Sequence, residues 1–302
     1  MLSLIYLSED IYSARDSMTL GSKEAREARQ RARDAYPTLL EGYPEWKILD
    51  ALVKEPAASV TDAVQKVLGL APAKPYLNER APLGDHPYHT FLSLIEIAKR
   101  TPPENQTKLV EFVARLQKNV VMNEATGEPL RHEGYLVWTQ LPALGYTAAD
   151  EWHSLDALDE GVSSDEIRHY ENLAALLAQL SAAADVDYGD PVMGEMDFSF
   201  WPTYIFKAAL EREEGQPAPT DAALRVASLW FMYAADRLWA NAKHGRVFGR
   251  RGDDPGTRMT REMWDRWQRG LVAAQATCND EETRRLISSA IKCMENALKR
   301  GK

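Results

Sequence analysis

Residues 220–243 read TDAALRVASLWFMYAADRLWANAK, and from Leu229 to Tyr233 every side chain is apolar or aromatic. Wound as a helix, that stretch is hydrophobic around its whole circumference, and such a helix is stable only where neighbours cover every face. The chain must therefore supply a ring of partners around it. Those partners read as helices too: apolar residues recur three and four apart from end to end, and no stretch of strict alternation is bounded by hairpin turns.

Local signals place the elements. Residues 22–34, SKEAREARQRARD, put alanines and opposite charges at helical spacing, as an exposed helix does. The same spacing runs through EWKILDALVKE, and Thr61 reads as the cap of DAVQKVLGL. Pro72 and Pro75 force a linker. DHPYHTFLSLIEIAKR takes Pro87 in its first turn, and PENQTKLVEFVARLQK follows Pro102 and Pro103, so these two segments read as an antiparallel hairpin of helices. Between Asn119 and Leu144 the periodicity fails and glycine and proline return, which makes this the longest irregular region and a natural place for function. Ser163 and Glu166 form a capping box for a helix through Ala184, and further helices start at Thr260 and near Asp280. The expected fold is all-α, a single large bundle or array of about nine to ten helices without a substantial sheet. Residues 1–80 supply N-terminal helices that pack as one unit with a main helical domain, 81–302.

Composition limits what such a bundle does. A chain of 302 residues, 45% hydrophobic and 27% charged, is an ordinary globular protein, and its formal charge of −9 argues against sequence-independent binding to nucleic acid, which needs a basic face. Cys278 and Cys293 are neither a disulfide framework nor a zinc ligand set. No run reaches the roughly 18 apolar residues of a membrane span, and MLSLIYLSED is too short for a signal peptide. The expectation is a soluble cytoplasmic protein with no membrane or nucleic-acid partner.

MTREMWDRWQRGL, residues 259–271, raises the question of what its two tryptophans hold. At about 100° per residue from Met263, Trp267 falls near 40°, Leu271 near 80° and Trp264 near 100°, while Glu262, Asp265, Arg266 and Arg269 fall between about 200° and 300°. The rings share one stripe and read as core packing, where each contributes roughly 3–5 kcal/mol by the cost of truncation.

WTQLPALG followed by Trp152, then HYENLAALLAQL, FSFWPTYIFKAALE, WFMYAADRLW and MTREMWDRWQRGL, resembles in that order the fungal domain of unknown function 3632 family, over roughly residues 85–298. The resemblance implies a fungal source and one helical domain. It brings no catalytic residue with it.

The remaining polar residues suggest limited chemistry. Asp165 and His169 stand one turn apart, and His132 and Glu133 lie in the irregular region; these four are the candidates for acid/base work. His86 and His89 flank Pro87 and Tyr88 without the further ligands a metal needs, so no metal site is expected. KHGRVFGRRGDDPGTR brings Lys243, Arg246, Arg250, Arg251 and Arg258 ahead of a helix N-terminus, where an anion is favoured, but lacks the phosphate-loop spacing. DALDE at 156–160 and NDEET at 279–283 only loosely mimic the paired acidic motifs of a terpene cyclase, and the second lacks its closing glutamate. No cofactor motif is present and no cofactor is expected. The reading is a helical protein that binds a partner protein or a small hydrophobic ligand, with Trp138, Tyr146, Arg246, Arg250 and Arg251 as contact residues. The alternative is a cofactor-independent acid/base enzyme, an isomerase or cyclase of secondary metabolism.

Overall fold

The computed structural model describes residues 38–70, 83–123, 126–153, 162–189, 194–211, 218–249 and 256–301. Among these are ten α-helices: α1 (Pro44–Lys54), α2 (Val60–Leu68), α3 (His86–Lys99), α4 (Thr107–Leu116), α5 (Pro142–Trp152), α6 (Ser164–Ala183), α7 (Thr203–Leu210), α8 (Asp221–His244), α9 (Arg261–Thr277) and α10 (Glu281–Arg300). Two antiparallel ladders of two-residue strands, β1 (Arg131–His132) with β2 (Tyr135–Leu136) and β3 (Val247–Phe248) with β4 (Thr257–Arg258), are the only sheet among the described residues. The fold is all-α. The segments 22–34 and 156–160, with Pro72, Pro75, Arg250 and Arg251, lie outside the described residues.

The helix that is apolar all round does what its composition requires. α8 is packed on by α6, α7, α9 and α10, and fifteen of its residues from Ala222 to Ala242 are buried. Thr220 starts it, its side chain accepting the Ala223 N–H at 3.1 Å. Opposite it, α10 turns in Ile287, Ala290, Met294 and Ala297, three to four residues apart, and leaves its charges outside. The capping box at Ser163 and Glu166 begins α6, and Pro87 sits in the first turn of α3.

Two local expectations differ from the structure. α2 is capped by Ser59, whose side chain accepts the Asp62 N–H at 3.4 Å, while the Thr61 hydroxyl accepts from Arg115 of α4. The helices either side of Pro102 and Pro103 do not form a hairpin: α3 packs on α1, α5 and α6, and α4 on α1, α2 and α6. Gln106 explains the divergence. Its buried side-chain amide donates to Ala98 O, Thr101 O and Asn172 O, at 3.0, 3.0 and 2.9 Å, and so ties the turn to α6.

The tryptophans at 264 and 267 are buried completely, at 0% exposure. Trp264 sits edge-on to Phe231 and against Trp239, with centroids 5.8 and 5.4 Å away, and Trp267 lies against Phe206 at 4.8 Å. The Trp267 indole N–H donates to Glu211 at 2.6 Å. These rings join α7, α8 and α9, and no ligand-facing role is left for them.

Candidate functional site

Between Asn119 and Leu144 the described residues 121–123, 128–132 and 135–136 form a small β meander. The Val121 carbonyl accepts the Leu130 N–H at 2.7 Å, the Asn123 N–H donates to Glu128 O at 2.8 Å, and Met122 faces Pro129 between them. β1 and β2 then close on a two-residue turn, Glu133–Gly134, with φ of 53° and 91°. Positive φ at both central positions is the turn type that matches strand twist, and glutamate is an uncommon residue for the first of them. The Glu133 carboxylate is held there by the Tyr88 hydroxyl, which donates at 2.8 Å.

Met122 and Pro129 form a pair between two ladder hydrogen bonds, so the N–H and C=O of Met122 point away from Pro129, toward the outer side of the meander. No described strand pairs with that side. Val120 and Met122, two apart and therefore on one face, are 54% and 49% exposed, while Val121 between them packs on the core. Tyr135 and Tyr146 add 45% and 54%. These four, from one short segment, are the majority of the seven large exposed hydrophobic side chains among the described residues. Soluble surfaces usually scatter such residues singly.

Behind the meander, α1 and α3 bring a polar cluster inward. The Glu45 carboxylate and His86 Nδ1 are 2.6 Å apart, and His86 Nε2 is 3.2 Å from the Val67 carbonyl, an acceptor only, so it carries a proton. Burial pushes the Glu45 carboxyl up, but the hydrogen bond from His86, its own backbone amide and the charges of His86 and His89 outweigh that and leave it below the ordinary range. His86 stands edge-on to Trp138 at 5.4 Å, and His89 stacks on Tyr43 at 3.9 Å. Burial lowers the pKa of His132 and of His89, and burial with the Glu133 hydrogen bond raises that of Tyr88. Glu45 Oε2 and His132 Nδ1 are buried with no hydrogen-bond partner.

The sequence-derived candidates are distributed unevenly around this site. His132 is 1% exposed, and Glu133, its neighbour on the turn, acts on it electrostatically together with Asp85 and His86. Asp165 and His169 are elsewhere: the Asp165 side chain is 78% exposed beside Arg168, and His169 is half-buried near Lys99, Glu96 and Arg100. Trp138 is 2% exposed and so packs inward, whereas Tyr146 is on the surface. Arg246 is buried too. Its guanidinium is paired with Asp197, reaches Asn241 Oδ1 at 3.2 Å and lies over the Phe248 ring at 4.7 Å. Among the described residues no group of three or more His, Cys, Asp or Glu could hold a metal ion. Both cysteines are free thiols, and burial comes first among the causes raising their pKa.

Glu45 had a readable signal. At about 100° per residue from Trp46, Leu49 falls near 300° and Leu52 near 240°, and Glu45 near 260° lies between them on the buried stripe. Asp197, the partner of Arg246, sits in an aperiodic stretch and carried none.

A family model described as "Protein of unknown function (DUF3632)" matches residues 91–271. No curated protein matches, and no solved structure does.

Proposed function

The chain belongs to the DUF3632 family, and from the geometry above we propose that it acts by binding a partner protein, which adds an extended strand along residues 120–123. The observation that supports this is the outward backbone of Met122 flanked by the exposed Val120 and Met122 side chains. Strand addition takes affinity from main-chain hydrogen bonds and specificity from alternate side chains. Charge indicates the partner. On the described part of the meander Glu128 and Glu133 outnumber Arg131, so an apolar strand interspersed with lysine or arginine is the complementary occupant. The matched span 91–271 includes this edge.

The test is a photo-crosslinking residue in place of Met122, and in a separate chain in place of Val272, an equally exposed apolar position on α9 at 51%. Cell extract should yield a defined adduct at 122, mapping to a basic, apolar segment of one protein, and none at 272. The same mixture of adducts at both positions would overturn the reading.

A second reading, acid/base chemistry at Glu45, His86 and His132, is favoured by the two buried atoms without partners. Glu45 and His86 lie outside the matched span and are 4% and 7% exposed, so a substrate is kept from them. Long-lived imidazole N–H signals from His86 and His132 in nuclear magnetic resonance spectra would remove it.

A further inference from the structure

The molecule carries a second strand edge built like the one at 120–123. β3 and β4 pair Val247 with Arg258 and Phe248 with Thr257, and the Met259 N–H donates to the Arg246 carbonyl at 2.9 Å. Val247 and Arg258 are thus the pair that lies between two sets of ladder hydrogen bonds. The N–H and C=O of Val247 therefore point away from β4, and no described strand pairs with that side. Val247 is partly buried, and Gly249 beyond it is exposed. The strand is held in place from behind, where Phe248 stacks on Phe200 at 4.9 Å and Arg246 is paired with Asp197.

Charge distinguishes the two edges. The described residues 243–249 and 256–261, which carry β3 and β4, include Lys243, Arg258 and Arg261, all exposed, and no carboxylate. The meander carries Glu128 and Glu133, and Gln117, three residues before Val120, holds Glu195 at 3.2 Å. Unpaired edges are where one chain pairs with another, and complementary charge fixes which edges meet. Around Val247 the chain reads RVFGR, apolar residues between arginines, which is the composition that the 120–123 edge calls for.

We propose that the strand added along 120–123 is β3 of a second copy of this chain, with Met122 and Val247 exchanging both backbone hydrogen bonds in an antiparallel pair. This names the occupant of the docking edge and rests on that reading. The row Pro129, Met122, Val247, Arg258 then alternates between pairs that exchange hydrogen bonds and pairs that do not, as a continuous antiparallel sheet does. The basic flank of one copy faces the acidic flank of the other, so the association is expected to weaken as salt rises.

The experiment uses the purified full chain, with a photo-crosslinking residue in place of Met122 and a mixture of unlabelled and nitrogen-15-labelled copies. The adduct should join 122 to the peptide containing Val247, and its light–heavy combinations should show that it forms between copies. Sedimentation of the parent should give a species of more than one copy that grows with protein concentration and shrinks with salt, and Met122→Pro should lose it. Glu128→Lys and Arg258→Glu, both at exposed positions, should each weaken the adduct, and mixing a crosslinking Glu128→Lys chain with an Arg258→Glu chain should restore it. A purified chain that sediments as one copy at every concentration, while cell extract still yields an adduct at 122, would overturn self-docking and leave the docking edge standing. An adduct between copies that maps away from Val247 would also overturn it. Absence of an adduct at 122 from both the purified chain and the extract would overturn both readings.

Discussion

Gly270 faces the end of α7 so closely that a Cβ there would overlap the Leu210 carbonyl oxygen and lie 2.7 Å from the Leu210 Cβ. Glycine inside a helix costs roughly 1 kcal/mol relative to alanine, so Gly270→Ala would stabilise α9 if space were the only other consideration. Here the overlap is with backbone, which cannot rotate aside. The variant should be destabilised by about 1–3 kcal/mol, the usual cost of overpacking, and a denaturant midpoint shifted to lower concentration checks it; an unchanged or raised midpoint would mean that α7 and α9 sit farther apart. Trp267 works beside it in the same sense, since Glu211, just past α7, accepts its N–H. At this scale sequence reading succeeded for Trp264 and Trp267, missed the burial of Trp138 and failed for buried charges. The stripe of Trp264 and Trp267 follows from spacing alone, but the pairing of Arg246 with Asp197 depends on a contact across 49 residues that no local pattern encodes.

Burial lowers the pKa of His132 on β1, of His89 on α3 and of His169 on α6. A histidine held neutral in the fold binds fewer protons than the unfolded chain does below its ordinary value of 6.5, so stability falls as pH drops through that value. Glu45 shifts the other way, below its ordinary 4.5, and its contribution is present above that pH and lost as pH falls through its lowered folded value. Acid should therefore weaken the fold in two stages. Between pH 7.5 and about pH 5.5 the first stage should shrink in His132→Gln, measured as the difference between urea midpoints at the two pH values. An identical difference in parent and variant would place the sensitivity elsewhere. The helices were legible because caps, prolines and the 3.6-residue period act locally. The meander was not, because its turn uses Glu133 in place of the usual asparagine or aspartate and holds it with Tyr88, 45 residues earlier. The expected hairpin of α3 and α4 failed for a related reason: short connections favour neighbours, but Gln106 draws the turn onto α6.

For the whole molecule, the buried side chains run as one core from Leu40 to Ala297, wider than the family match at 91–271. α10 lies beyond that match and covers one face of α8, so the matched stretch alone would leave the apolar α8 bare where Ile287, Ala290 and Met294 now sit. No helix is long and apolar enough to cross a membrane among the described residues. The surface offers the 120–123 edge as two exposed apolar side chains beside an outward backbone that no described strand pairs. The most direct test of that account is Met122→Pro, which removes the outward N–H while leaving the ladder bonds of Val121 and Asn123 in place; proline is tolerated on such an edge. Combined with a crosslinking residue at Val120, the variant should keep the parent's denaturant midpoint and lose the partner adduct. A proline chain that still captures the partner from position 120, or one that unfolds, would contradict a docking edge built on the backbone of Met122.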